Sequence, residues 1–464
     1  MKIFSFLLVL WSLAYPLNSQ NWMQVGDFYR TPRVFLNDTT SGLLYISGNF
    51  NLNGMDTVYG LVTFDGNSFT SLGRRNDCYA FDCDPGFLIA RYGDHIYFSS
   101  YGLNLIDSVA VQGIARWDGA HWEPAMPGLD DNGKPFLDSY YIHQGLFYGV
   151  GVFRTAEGDT CNSVAYWNGQ KWTGLGFPPN TGNHLPRVFN VIFYQDQLYV
   201  GGNFTWELSG GQDIARLTNN GWELVGGGLL GGFAEVSDMT VYKGELYICG
   251  YFRSADGNAG NKIMRWNGQQ WRKVGEGFCS QNIIPTQMMV HNDKLYVVGI
   301  FECVDNNISA SNITSWDGER WCNLGDSYFN NKISCITSYK GDIYVGGGFT
   351  MVDGLPCKSM AKWVGDEQNA ACSDPVSAAM EPQAGVITCY PNPAMHQLRV
   401  VLEAPATDIQ VFSAEAKNQS NKIRVDSRVG NAVEVNIEGL APGWYFVVAT
   451  LDNGGRVVGR FVKT

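Results

Sequence analysis

The chain has 464 residues, a formal net charge of −12, 16% charged residues, 14% aromatics and 55 glycines. This balance excludes nucleic-acid binding, because no basic stripe is present to neutralise phosphates. The glycines and aromatics point instead to many tight turns between β-strands.

Met1-Lys2, the apolar run Ile3 to Leu10, and Trp11 to Tyr15 precede a proline and small polar residues. Residues 1–19 therefore read as a secretory signal peptide, with cleavage expected after Ser19. The run is too short to span a bilayer comfortably, and nothing later approaches about 20 apolar residues. The expectation is an exported, soluble protein. Export permits disulfides, and 11 cysteines is an odd number. Cys78 and Cys83 sit close enough to close a local loop. Cys249, Cys279, Cys303, Cys322, Cys335 and Cys357 fall near the end of the repeats, where spacing leaves their pairing open.

From residue 20 onward one phrase returns seven times, anchored on Tyr45, Tyr97, Tyr148, Tyr199, Tyr247, Tyr296 and Tyr344, at steps of 48 to 52 residues. A period near 50 with several short strands per unit predicts a β-propeller. Each unit reads as four strands. Around Tyr247 they are Met239 to Tyr242, Leu246 to Gly250, Ile263 to Trp266 and Trp271 to Gly275. Asp-Gly or Asn-Gly recurs between the third and fourth strands, at Asp65, Asp118, Asn168, Asn267 and Asp317, as expected of a hairpin turn with both central residues at positive φ. The seventh unit lacks a fourth strand. Trp22-Met23-Gln24-Val25-Gly26 carries that phrase at the other end of the repeats, so the N-terminal strand is expected to complete the last blade and cover its edge.

Leu198-Tyr199-Val200-Gly201-Gly202-Asn203-Phe204 and Ile114-Ala115-Arg116-Trp117-Asp118-Gly119 resemble the kelch-like repeats of secreted bacterial propellers. The resemblance covers residues 20–365 and implies seven blades. It implies little about activity, since such propellers host binding modules and enzymes alike.

Residues 366–385 read as a linker. Beyond it the Trp-Asp-Gly phrase stops, and short alternating runs predict a small C-terminal β-sandwich over 386–464, a normal domain size. Cys389-Tyr390-Pro391-Asn392-Pro393 opens it, Gly439 to Tyr445 precedes its penultimate strand, and Gly459 to Thr464 ends the chain. These three motifs resemble the type A sorting domain of the type IX secretion system. The resemblance implies a domain that carries its cargo across the outer membrane through the type IX machinery, and is then usually cleaved. Pro391, Asn392, Pro393, Gly443, Tyr445 and Lys463 would carry the sorting motif. Ser413-Ala414-Glu415-Ala416-Lys417 replaces the usual Asp-x-x-Gly-Lys turn of that family.

Variable loops on a rigid scaffold are where a propeller places its function. The segment from Arg74 to Arg91 holds Arg74, Arg75, Asp82 and Asp84 beside the Cys78/Cys83 pair, and could contact a partner or hold a calcium ion. A stapled surface loop is the simpler reading. Asp130-Asp131-Asn132-Gly133 lacks the spacing and distal Glu of a calcium loop and reads as a polar turn. His184 and Arg187 lie in another blade-to-blade loop and could face the channel. The Asp-Gly-x-x-Trp aspartates differ in spacing from a sialidase Asp-box and read as turns, and the repeated tryptophans read as inter-blade core. No His-Glu-x-x-His, Gly-x-Ser-x-Gly or P-loop pattern is present. No catalytic residue, cofactor site or metal site is assigned beyond the open calcium question. The sequence is therefore read as a secreted or cell-surface, non-catalytic module for binding or adhesion to an extracellular protein or glycan. The alternative is a polysaccharide hydrolase or lyase whose acid and base come from different blades; a structural role is a third reading.

Overall fold

The computed structural model describes residues 21–52, 60–73, 88–131, 135–180, 185–205, 212–231, 234–279, 283–305, 308–325, 327–365, 372, 388–402, 406–413, 419–451 and 456–464. The signal segment, Arg74, Arg75, Asp82, Asp84, His184 and the Cys78/Cys83 pair lie outside them. No described helix is long and apolar enough to cross a membrane. The protein is all-β, and it divides into two compact units between Asp374 and Pro375.

The first unit contains seven four-stranded antiparallel sheets, here numbered I to VII. Their first strands are Phe28–Asp38, Leu88–Tyr92, Phe136–His143, Arg187–Tyr194, Glu235–Tyr242, Ile284–His291 and Ile333–Tyr339. Each touches the first strand of the next sheet, and the seventh touches the first. Sheet VII takes its fourth strand from the start of the chain, with Trp22 opposite Trp363 and Gln24 opposite Ala361.

Repeated residues hold the sheets to one another. The second tryptophan of a unit donates its indole N–H to a backbone carbonyl just after the fourth strand of the preceding sheet. Trp172 reaches Met126, Trp222 reaches Leu175, Trp271 reaches Val225 and Trp321 reaches Val274, at 2.8–3.1 Å. Trp22 fills the same place in sheet VII but donates to the Ser327 hydroxyl at 2.8 Å. At the far end of the first strands, tyrosine hydroxyls do similar work: Tyr194 donates to Gly244, Tyr242 to Asp293, and Tyr339 of sheet VII to Gly42 of sheet I. Between sheets I and II, Arg91 Nε and Nη2 donate to the two oxygens of buried Asp38 at 2.6 and 2.7 Å. Burial pushes the Asp38 carboxyl up, but the bonds from Arg91 and Ser41 outweigh it and hold it below the usual carboxylate range.

The recurring glycines have a steric cause. Six of the seven first strands slip register at a β-bulge, on Arg33, Asp138, Phe189, Ser237, Thr286 and Ser334. The facing residues of the second strands are Gly48, Gly151, Gly202, Gly250, Gly299 and Gly347. A Cβ on any of them would strike the first strand's backbone at the bulge. A bulge bends its strand and re-aims a side chain, so one glycine per unit is what lets the inner wall form.

The two hairpin types of each unit differ from the sequence reading. Between the first and second strands the turns do have two central residues at positive φ, such as Gln195–Asp196 and Lys243–Gly244. The Asp-Gly and Asn-Gly turns are four-residue loops, with Trp266 opposite Trp271 and Phe64 opposite Phe69, and only the glycine has positive φ. The Asp or Asn is there as an acceptor: Asp118 Oδ1 takes the N–H groups of Ala120 and His121, and Asn267 Oδ1 those of Gln269 and Gln270. The N–H groups of Ser68 and Asn67 likewise pull the Asp65 carboxyl down to about 2.

Cys279 pairs with Cys303 and Cys322 with Cys372, while Cys161, Cys249, Cys335 and Cys357 are buried free thiols. The second unit has a four-stranded sheet, ordered Thr388–Tyr390, Gln397–Val401, Ala432–Asn436 and Arg424–Val429. Its three-stranded partner is Ala406–Ser413, Gly443–Leu451 and Arg456–Lys463. Leu398, Val400, Val433 and Val435 of one sheet and Ile409, Val411, Val447 and Phe461 of the other form one buried cluster.

Candidate functional site

Two places, one in each unit, bring candidate site residues together. In the second unit the three C-terminal motifs converge. Asn392 Oδ1 accepts the N–H of Val462 at 2.9 Å, Ala394 N–H donates to the Val462 carbonyl at 2.8 Å, and Thr464 N–H donates to Ala394 at 3.0 Å. Gly443 lies opposite Lys463 and Tyr445 opposite Phe461. The Tyr445 and Phe461 rings stack at 5.6 Å, and the buried tyrosine donates its hydroxyl to Ala441 at 2.9 Å. The Pro391–Asn392–Pro393 turn, the Gly443–Tyr445 entry and the terminal strand thus form one corner, with the C-terminal residues woven into it.

In the first unit, the first strands of all seven sheets line a cavity of about 670 Å³. It lies within the range of small-molecule pockets, roughly 300–1,000 Å³. Its wall includes the bulge residues Arg33, Asp138, Phe189, Ser237, Thr286 and Ser334. Next to the bulges a polar belt joins adjacent sheets: Asn190 Nδ2 donates to Ser237 O, Asp238 Oδ2 accepts Met288 N–H, and Gln287 Oε1 accepts Ile336 N–H, at 2.6–2.8 Å. Asp238 Oδ1 also takes the N–H of Met239. Burial pushes the Asp238 carboxyl up to about 7, opposed by those two N–H groups. Oδ2 thus ties sheet V to sheet VI, while Oδ1 is held within its own strand.

Of the sequence-predicted loop residues that are described, Asp131 is clasped by Arg154 Nε at 3.2 Å, and Asp130 lies in a short strand pairing with Thr155. Neither lines the cavity. Arg187 starts the first strand of sheet IV with its guanidinium 5.3 Å from the ring centroid of Phe189, a cavity-wall residue. Sequence reading missed Arg33, Asp138, Phe189 and Lys332, because a bulge shifts the side-chain alternation by one residue and leaves no compositional mark. The recurring glycine that faces each bulge from the second strand was the available signal. No group of three or more His, Cys, Asp or Glu side chains that could hold a metal occurs among the described residues.

Residues 388–464 match the family described as "Secretion system C-terminal sorting domain". The protein is exported by type IX secretion to the cell surface or the extracellular space, and its C-terminal unit engages that secretion machinery. No curated protein matches the chain. Among solved structures, Drosophila Semaphorin 2a is similar over 96% of this chain and 97% of its own, at 9% identity and a TM-score of 0.33. An exo-β-1,3-galactanase from Phanerochaete chrysosporium, solved with galactose, is similar over 70% of this chain and 89% of its own, at 12% identity and a TM-score of 0.27. Likeness at these scores carries no argument about fold or activity.

Proposed function

We propose that the first unit is a seven-bladed, kelch-like β-propeller, closed by its N-terminal strand. It works outside the cell as a non-catalytic module that binds a glycan or protein, while the C-terminal β-sandwich serves export. The ring of contacts among the seven first strands supports the propeller reading. The observation that carries the binding reading is the open cavity at the centre of that ring. Its wall mixes charged, amide and aromatic groups, and one of its two carboxylates is already spent on backbone N–H groups. A hydrolase working through a pair of cavity carboxylates would have to draw on Asp138 and Asp238, and both oxygens of Asp238 already accept backbone N–H groups.

The test is an array of glycans and extracellular proteins probed with the mature full-length chain. The expected result is saturable binding of at least one class, with no new reducing ends released from any bound glycan. Absence of binding across every class would overturn the reading.

A further inference from the structure

Most described cations of the first unit are in ion pairs or hydrogen bonds, while Lys262, whose buried Nζ has no hydrogen-bond partner among the described residues, sits over the Tyr251 ring and Arg187 over that of Phe189. Arg91, Arg116, Arg216 and Arg253 each hold a carboxylate at 2.6–2.8 Å. Arg33 and Lys332, by contrast, make no side-chain ion pair or hydrogen bond among the described residues, although the chain's net charge is −12. Both line the cavity, on the neighbouring sheets I and VII, and Arg33 is the bulge residue of its strand. Burial and then the Arg33 charge lower the Lys332 pKa, while Glu235 opposes them. Two like charges thus share one wall, and neither is in an ion pair with a carboxylate among the described residues.

The opposite side differs. Asp138 of sheet III and Asp238 of sheet V face the same cavity, and Glu235 begins the first strand of sheet V, where its Oε1 accepts the Ser237 hydroxyl at 3.2 Å. The cavity is thus polarised, cationic at sheets VII and I and acidic across it. Phe189, half-buried, lies within that acidic side, on sheet IV between Asp138 of sheet III and Asp238 of sheet V, with the Arg187 guanidinium 5.3 Å from its ring centroid. Among the described residues the belt amides are only partly used: Asn190 donates through its NH₂ group and has no partner for its side-chain oxygen, and Gln287 accepts through its oxygen and has no partner for its NH₂ group.

We infer that this cavity binds a carboxylated glycan, with Arg33 and Lys332 taking the sugar carboxylate and Phe189 offering a face for the ring. The inference rests on the binding-module reading above. Paired cations suit one carboxylate, an aromatic face suits an apolar sugar face, and leftover amide donors and acceptors beside an acceptor-only carboxylate suit hydroxyls, which do both. An acidic peptide would use the cationic wall but would bring its further carboxylates toward Asp138 and Asp238 across from it.

The test is calorimetric titration of the mature full-length chain with β-1,4-linked triglucuronate and with cellotriose, which differ only in oxidation at C6. Triglucuronate should bind at least 10-fold more tightly, and the preference should shrink as salt rises. Arg33→Gln with Lys332→Gln should remove the preference without shifting the melting temperature, while Lys171→Gln on the surface should leave it intact. If the double variant does not fold, Arg33→Glu at the exposed bulge alone should weaken triglucuronate binding at least 10-fold. Equal binding of both sugars, undiminished binding by the folded variants, or equal competition by oligoglutamate would overturn the inference. Failure to bind triglucuronate while a neutral glycan or a protein binds would overturn it and leave the binding-module reading standing. Release of new reducing ends from a bound glycan would overturn that reading itself.

Discussion

The two units carry information in opposite ways. In the first, whatever recurs is structural: the indole bonds of Trp172, Trp222, Trp271 and Trp321, the bulge-facing glycines and the Asx turns each have a packing or hydrogen-bonding cause. What differs from sheet to sheet, such as Arg33, Asp138, Phe189 and Lys332, is what faces the cavity. In the second unit, motifs that occur once meet in one corner around Asn392, Tyr445 and Val462. Repetition marks scaffold, and departure from repetition marks function in a repeat protein; in a single-copy domain, convergence of rare motifs does so.

The comparison breaks most visibly at the C-terminus. Removal of residues 388–464 should abolish release and leave the protein in the periplasm, read by fractionation and immunoblotting. Normal release of the truncated chain would remove the functional meaning of the corner. Next in size, Trp321→Ala should destabilise the first unit by about 3–5 kcal/mol, since the ring is wholly buried and its indole bond to Val274 is lost. Chemical denaturation measures this, and a cost below about 1 kcal/mol would make the repeated tryptophans something other than core. Gly299→Ala should cost about 1–3 kcal/mol, because the new methyl would strike the Ile284 carbonyl at the bulge. In the second unit, Tyr445→Phe should cost only about 1 kcal/mol, one hydrogen bond's net worth.

A subtler test lies in a position where the repeat tolerates variety. Gly60, Gly113, Ser163, Lys262, Asn312 and Ser359 each precede the third strand of their sheet, Asp213 is the second residue of its own, and all seven have φ between 65° and 77°. Asn312 accepts the Phe301 N–H and donates to the carbonyls of Phe329 and Asn331. Asp213 accepts the matching N–H of Phe204, but its other oxygen is buried without a partner among the described residues. Burial, with Glu235 adding to it, pushes its pKa up to about 8. Between about pH 4 and pH 8 the folded chain therefore keeps a proton that the unfolded chain releases. This contribution to stability is complete below that window and is lost as pH rises through it. Asp213→Asn, which copies Asn312, should remove this dependence and raise stability at pH 9 by roughly 1–3 kcal/mol, an unsatisfied group's cost. Thermal melts of both proteins across pH 5–9 check it; parallel curves would contradict the assignment.

Much of the scaffold was legible. The Tyr45-to-Tyr344 spacing located seven strand pairs, and Trp22 read as a fourth-strand residue because its phrase matches that at Trp271. The Asp-Gly turns were located but given the wrong mechanism, since sequence does not distinguish an αL residue from an Asx acceptor. The left-handed position at the start of the third strand was invisible, because Gly, Ser, Asp, Lys and Asn all occupy it. The cavity wall was invisible for a related reason: bulges on Arg33, Asp138 and Phe189 are set by backbone pairing with a distant glycine. The acidic pair Asp130-Asp131 stands out in the sequence, yet Asp130 lies in a short strand and Asp131 is a local clasp for Arg154.

The central claim is binding without chemistry, and one measurement tests it most directly. Reducing-end release should be followed over hours for every glycan that the mature full-length chain captures, in parallel with Asp138→Asn. The account predicts no release by either protein. Steady release by the native chain, abolished in Asp138→Asn, would contradict it and make the cavity an active site.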